Sequence, residues 1–458
     1  MRDRNAEFAS QQHAKSVIRS TNQAEAVDFF NLLTGPELLE MTDSLLPAHR
    51  ERLYPPTQVL AMFMGQALSE DGSCQKAVNS WAAQRAAGGL NVHSVNTGAY
   101  CKARQRLPFE MVSTLARHTA KLLSERGHSG WRWRGRCVKL VDGTGILMPD
   151  TVANQARYPQ LSSQAVGVGS PLARLVGVIC LSTGALLDAA MGPFTGKGTS
   201  ELGLLRQIEA AFSPGDVMLA DALYCNYFLI AALQGLGVDV LFAQNGARIT
   251  DFRRGERLGS RDHQVSWPKP KARPDWMSAE DYAALPEQLT LREVKVGKKI
   301  LVTSFLSPRG VSKTALGALF RQRWHVELDL RAIKTTLQMA ELSCNTPAMN
   351  EKEVWVHFLA YNLIRLLMAQ AAQKAAVHPR TLSFKHTLQL WSEWTARRLC
   401  PHRDGSTELL FTLIGQLRVG NRPGRIEPRA RKRRPKPYPW LKMPRAQARA
   451  HIAAYGHA

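Results

Sequence analysis

RCVKLVDGTGI, residues Arg136 to Ile146, marks a change in the character of the chain from helical spacing to strands. Val138, Leu140 and Val141 form a short apolar run, and Gly143 and Gly145 follow Asp142. An apolar run of this length, rich in strand formers and bounded by glycine, reads as a buried strand. It is expected to deliver Asp142 into a glycine-flanked turn. DVMLADALY, Asp216 to Tyr224, repeats the pattern, with an apolar strand over Val217 to Ala220 that ends on Asp221. An aspartate at the end of a buried strand is costly unless its charge is matched or used. Strand-end aspartates also serve as ordinary turn or cap residues, so neither position alone defines a site.

Working outward, Leu172 to Leu181 and Ala185 to Gly192 form a hairpin across Ser182-Thr183-Gly184. A helix over Thr199 to Phe212, the Val217 to Ala220 strand, a helix over Tyr227 to Leu236 and a strand over Val238 to Ala243 follow. This alternation implies an α/β fold with a mixed sheet. Residues 244–308 are rich in Arg, Lys, Pro and Gly. Strands are expected there at Arg257 to Leu258, Gln264 to Trp267, Leu289 to Val296 and Lys299 to Leu306, the last two turning at Gly297. The first 130 residues read as helical, with segments at Ala24 to Leu46, from Pro55 through Leu68, at Cys74 to Arg85, and from near Pro108. After the core come helices at Val354 to Ala375, Ser383 to Leu399 and Glu408 to Leu417, then a polybasic end from Gly424 to Arg449. The chain thus divides into a helical unit (1–130), a core in two parts (131–243 and 309–375), a strand-rich insertion (244–308) and a helical, basic C-terminal region (376–458).

A third acid completes the pattern. FRQRWHVELDLRAIK, Phe320 to Lys334, reads as one amphipathic helix. At about 100° per residue, Phe320, Arg323, Glu327, Arg331 and Lys334 fall within an arc of roughly 80°. On its own this face reads as a solvated one, with i,i+4 ion pairs worth a few tenths of a kcal/mol. With Asp142 and Asp221 it becomes a carboxylate triad able to hold two divalent ions, Mg²⁺ or Mn²⁺, since hard oxygen donors suit them. Two such ions about 3.5–4 Å apart clamp the attacking and leaving oxygens of a phosphoryl displacement.

Asp142-Gly143-Thr144, Ala220-Asp221 and the series Phe320, Arg323, Glu327, Lys334 resemble the DDE transposases of bacterial insertion sequences. The spacing is that of the subgroup whose signature runs Tyr, two residues, Arg, three residues, Glu, six residues, Lys; Phe320 stands at the Tyr position. The resemblance implies a ribonuclease-H-like mixed sheet in which the first and fourth strands are neighbours, bringing Asp142 and Asp221 together. It also implies an inserted strand-rich unit, and cleavage and joining of DNA by Asp142, Asp221 and Glu327. Arg323 and Lys334 would grip phosphates beside the scissile bond, with Arg331 on the same face. The N-terminal unit would recognise terminal inverted repeats, with Lys102, Arg104 and Arg106 suited to phosphates. A helical scaffold is the alternative reading of that unit. Trp267 offers a flat surface for stacking on an extrahelical base, or is a core residue. A hairpin intermediate belongs to this subgroup, and Phe320 lacks the hydroxyl that would bond a phosphate there.

Composition agrees with a nucleic-acid partner. The 458 residues carry 60 Lys and Arg against 37 Asp and Glu, a net charge of +23, and a pI near 10.1. Such a balance favours an acidic partner; we expect DNA, bound by a homodimer. No stretch reaches the roughly 20 apolar residues of a membrane span, and the start lacks a secretory signal, so a cytoplasmic, nucleoid-associated protein is expected. Seven scattered cysteines form no C-x-x-C pair and signal neither zinc nor a disulfide framework. No GxxxxGK[ST] loop occurs, so ATP is not called for. A ribonuclease-H-like nuclease that cuts without joining, and a relict DNA-binding protein, are the other readings; the intact spacing of all three acids speaks against the second.

Overall fold

The computed structural model of the chain describes residues 53–87, 94–397, 406–419 and 441–456, together with 41, 44–46 and 89. Most of the helix expected at Ala24 to Leu46, and the polybasic run up to residue 440, lie outside the described residues.

Among the described residues, four helices precede the core: α1 (Pro56–Leu68), α2 (Cys74–Ala87), α3 (Gly98–Arg106) and α4 (Phe109–Arg126). The core follows as β1 (Val138–Leu147), α5 (Val152–Arg157), β2 (Leu172–Cys180), β3 (Leu186–Pro193), α6 (Glu201–Arg206), β4 (Val217–Ala220), α7 (Tyr227–Gly235) and β5 (Asp239–Ala243). Next are β6 (Glu256–Gly259), β7 (Asp262–Pro268), α8 (Ala279–Ala284), β8 (Gln288–Val296) and β9 (Lys299–Thr303). Then come α9 (Lys313–Arg321), α10 (Trp324–Arg331), α11 (Pro347–Lys374), α12 (Phe384–Arg397), α13 (Ser406–Gln416) and α14 (Arg445–Tyr455).

Val138 to Val141 are all buried because β1 is covered on both faces. Leu140 joins an apolar cluster with Leu175, Leu219 and Leu241 on one side; Val141 joins another with Val176, Met218 and Val240 on the other. Burying each such side chain contributes about 1.5–3 kcal/mol. Lys139 is the polar member of the run, and its Nζ is satisfied by Asp216 Oδ2 at 2.5 Å and the Ala211 carbonyl at 2.6 Å.

The nine strands among the described residues form one sheet in the order β3-β2-β1-β4-β5-β9-β8-β7-β6. β1, β4 and β5 are parallel, while β2 and β3 are antiparallel additions on one side. This is the ribonuclease-H-like mixed sheet, with the first and fourth strands adjacent as expected. The strands of 244–308 are not a separate sheet: β9 pairs antiparallel with β5, so the insertion extends the core sheet edge to edge.

One correction concerns Asp142. β1 does not turn there; it continues through Gly143, Thr144 and Gly145, paired with β2 from Lys139↔Cys180 to Leu147↔Leu172. Local sequence favours a break at two glycines, but the β2 ladder holds both in the strand.

α6 and α7 cover one face, contributing Leu204, Leu205, Ile230 and Leu233. α9, α10 and α11 cover the other, and the N-terminal helices join the same cluster: Val59 and Phe63 of α1 are buried with Phe358 and Tyr361 of α11. α11 is apolar nearly all round and packs against α1 and α4, as a helix in the middle of a core must. Among the described residues no helix is long and apolar enough to cross a membrane.

Candidate active site

The parallel register of β1 on β4 runs from Val138↔Val217 to Leu140↔Leu219. Continued by two residues, it sets Asp142 beside Asp221. Each aspartate is oriented locally: the Gly143 N–H donates to Asp142 Oδ1 at 2.9 Å, and the Leu223 N–H donates to Asp221 Oδ1 at 2.8 Å. Asp221 is thus also a turn residue, and its second oxygen is left for other work. Burial raises the Asp142 pKa to about 6, and the neighbouring charges of Asp221 and Glu201 add to the rise, against the lowering effects of the Gly143 hydrogen bond and Arg323.

Glu327 reaches the same end of the sheet on α10, which packs on β1. The expected single helix is interrupted. At Gln322, Arg323, His325 and Val326 the backbone N–H groups bond three residues back, a tight turn separating α9 from α10. A π-type turn over Ala332–Thr336 follows α10. Tight and wide turns rotate a helix face by different amounts, so the arc drawn for a uniform helix does not hold throughout. The π-type turn carries Lys334, whose Nζ donates to Thr144 Oγ1 at 3.0 Å and to the Gly145 carbonyl at 2.8 Å. Lys334 therefore lies across β1 just beyond Asp142, and desolvation lowers its pKa. Arg323 Nη2 pairs with Glu327 Oε1 at 2.7 Å. Arg331 is exposed on α10.

Phe320 is 9% exposed and packs into the core, with Lys299 Nζ 5.3 Å from its ring centre. It forms one wall of a cleft of about 520 Å³ beside Asp221, shared with Asn245 and with the cations Arg248, Lys298, Lys299 and Arg323. The sequence reading did not single out Arg248, Lys298 or Lys299, because a hairpin tip rich in lysine looks like any solvated turn.

The other expected DNA contacts separate into two groups. Lys102 and Arg106 are exposed one turn apart on α3. Arg104 is 5% exposed. Its guanidinium donates to Gln66 Oε1 at 3.1 Å and to Cys74 Sγ and Cys344 Sγ at 3.0 Å each, and lies 4.0 Å from the Phe63 ring centre. Arg104 is a cross-link between the N-terminal helices and the core rather than a phosphate ligand. Trp267 is likewise buried, at 6% exposure. Its Nε1 donates to Glu293 Oε1 at 2.8 Å and Arg248 covers its ring at 4.0 Å. It takes the core reading, since alternation along β7 turns it into the sheet face under α7.

Glu201, at the start of α6, was missed. Its Oε2 accepts from the Tyr224 hydroxyl at 3.0 Å, and its carboxyl lies against Gly143: a Cβ built there would stand 2.3 Å from Glu201 Cδ. In sequence an acid following Ser200 reads as part of a helix cap, and Ser200 does cap Gly203.

As they stand, among the described residues no three His, Cys, Asp or Glu side chains are arranged to hold a metal ion. The donor chemistry nevertheless suits one. Asp142, Asp221 and Glu201 offer oxygen only, their charges crowd one another, and Glu327 is turned onto Arg323.

Residues 133–363 match the family described as "Transposase DDE domain", half of the chain, and the chain belongs to that family. It is a DNA transposase, an enzyme that cleaves and transfers DNA strands, of a family that uses divalent metal ions. It is similar to the transposase InsG of insertion sequence element IS4 from Escherichia coli K12, at 27% identity over 420 residues, covering 88% of this chain and 91% of the relative. Among solved structures it resembles a piggyBac transposase synaptic complex with hairpin DNA, with a TM-score of 0.42 and 12% identity, covering 88% of this chain and 87% of the other.

Proposed function

We propose that Asp142, Asp221 and Glu327 are the acids of this transposase's active centre and that they hold two Mg²⁺ or Mn²⁺ ions. The observation that carries this reading is the β1–β4 register, which aligns the two aspartates, together with the packing of the Glu327 helix on β1. When bound, such ions activate the attacking water and stabilise the leaving 3′ oxygen. The chain's own part is to orient. Gly143 and Leu223 N–H groups hold the two aspartates, and Arg323 holds the Glu327 carboxylate in an ion pair until it is needed. Arg323, once free of Glu327, and Lys334 present cations to the phosphates on either side of the acids, in the manner of the Tyr-Arg-Glu-Lys subgroup with Phe320 at its first position. The cleft flanked by Lys298, Lys299 and Arg248 continues that cationic surface away from Asp221.

Lys102 and Arg106 form the phosphate-facing edge of the helical unit that binds the terminal inverted repeats; Arg104 is withdrawn from that role by its burial. We take the working species to be a homodimer on DNA in the bacterial cytoplasm. The test is strand transfer: the purified protein, supplied with element ends already cut to a 3′ hydroxyl and with Mg²⁺, is expected to join them to target DNA. Cutting without joining would replace this reading by that of a nuclease.

A further inference from the structure

Tyr224 is fully buried and spends its hydroxyl on Glu201, although a neutral acceptor would satisfy a tyrosine as well. The strand beside Asp142 is bare at Gly143, and Glu201 fills the space a side chain would take. Gly143 is not required by its backbone conformation: it lies in a regular antiparallel pair with Val176, where any residue is at ease. The space a side chain would take at Gly143 is occupied by the Glu201 carboxyl, which a larger residue would have to displace. A third negative charge placed against two others, with its position fixed from both sides, is unfavourable in the fold by itself.

We propose that Glu201 is a fourth carboxylate of the divalent-metal centre, held by Tyr224 and admitted by the absence of a side chain at Gly143. The proposal rests on the reading that Asp142 and Asp221 hold the ions. Glu201 reaches the pair from α6, on the sheet face opposite α10, so that acids from both faces close on the strand ends. Its task is to retain an ion at Asp142 when Glu327 is engaged by Arg323, the arrangement of the DNA-free chain.

The test is Mn²⁺ binding by the full-length, DNA-free protein, followed by titration calorimetry, with the parent chain, Glu201→Gln, Tyr224→Phe and Asp142→Asn compared. Glu201→Gln is expected to weaken Mn²⁺ binding about tenfold, equivalent to roughly 1.4 kcal/mol. Tyr224→Phe should weaken it by a smaller factor, because the carboxylate remains but loses its anchor. Mg²⁺-dependent cleavage of element ends should fall in the same order, with end binding unchanged. To guard against a variant that folds poorly, Glu201→Asp serves as a second probe: it keeps the charge but shortens the reach, and part of the loss should be recovered by raising Mn²⁺. Unchanged Mn²⁺ affinity in Glu201→Gln, alongside a loss in Asp142→Asn, would overturn the role of Glu201 and leave the triad intact. Unchanged affinity in Asp142→Asn would remove the underlying reading of the site, and this proposal with it.

Discussion

Asp329 and Asp142 are both carboxylates withdrawn from water, and the fold surrounds them in opposite ways. Asp329 is 1% exposed and lies between two arginines, accepting from Arg365 and from Arg380 Nη1 at 2.5 and 2.6 Å. Those arginines also reach the Tyr361 hydroxyl and the Cys180 and Leu181 carbonyls, so the group ties α10 to α11 and to the end of β2. Asp142 has Asp221 and Glu201 as charged neighbours, with Arg323 as the opposing cation. Glu327 and Asp329 are two positions apart on α10 and so point roughly 200° apart. One side of the helix is locked by a carboxylate held between two buried arginines, and the other carries Glu327, held by Arg323. On the proposed reading, the first site serves stability and the second catalysis.

The largest expected effect comes from emptying the catalytic side. Asp142→Ala, Asp221→Ala or Glu327→Ala should reduce cleavage of labelled element ends to background while end binding persists, because each removes a metal-binding oxygen and little of the DNA-facing surface. A variant that kept near-parental Mg²⁺-dependent nicking would take its residue out of the triad.

Breaking the balanced side should do the reverse. Asp329→Ala leaves two buried arginines facing each other and is expected to destabilise the fold by about 3–5 kcal/mol, read from denaturant unfolding. Loss of cleavage in this variant should track loss of folded protein. If it unfolded no more readily than the parent, the contrast between the two acids would fail.

The pH dependence of the metal-free protein sharpens the same contrast. Burial raises the folded-state pKa of Asp142 to about 6, above the ordinary aspartate range, so the folded chain binds its proton more tightly than the unfolded chain does. Its contribution to stability is present below the unfolded value and is lost as pH rises through about 6. Denaturant midpoints should therefore fall across that window, by up to about 3 kcal/mol of stability, and Asp142→Asn should flatten the fall. Saturating divalent cation should do the same, since a ligand bound to the folded form alone stabilises it.

Smaller effects belong to the cations. Lys334→Ala and Arg323→Ala should each slow cleavage more than they weaken folding, and each should reduce the salt slope of end binding by about one for a lost phosphate contact. Unchanged slopes would leave Lys334 as a strand brace on Thr144 and Arg323 as an ordinary helix pair. The smallest change is Phe320→Tyr, which adds a hydroxyl at the wall of the cleft beside Asp221. Time courses separating nicked, hairpin and double-strand-break products should show nicking unchanged and any hairpin step preserved or faster.

The three acids were singled out from the sequence because apolar runs lead into Asp142 and Asp221 and a stretch with helical spacing carries Glu327; the structure keeps Asp142 within β1 rather than at its end. The core strands were legible from local pattern as well: Val217 to Ala220 is a short apolar run preceded by Pro214-Gly215, and its length and flanks favour a buried strand over a helix. Arg104 and Trp267 were not, because a lone arginine or tryptophan looks alike whether it faces solvent or core; only long-range neighbours, Cys344 for one and Glu293 for the other, show that both are buried. Glu201 was hidden for a related reason, since its meaning depends on Gly143, 58 positions away in the chain, and on Tyr224.

By itself, then, the amino-acid sequence determined the order of the core strands and the excess of positive charge and pointed to the three acids, all properties carried by local pattern and composition. The tertiary structure decided the straight course of β1 past Asp142, the joining of the inserted strands to the core sheet, the breaks around α10 that turn Lys334 onto β1, and the approach of Glu201. Each of these depends on backbone pairing or side-chain contact between segments far apart in the chain, where local propensity is outweighed by what the neighbouring segment offers.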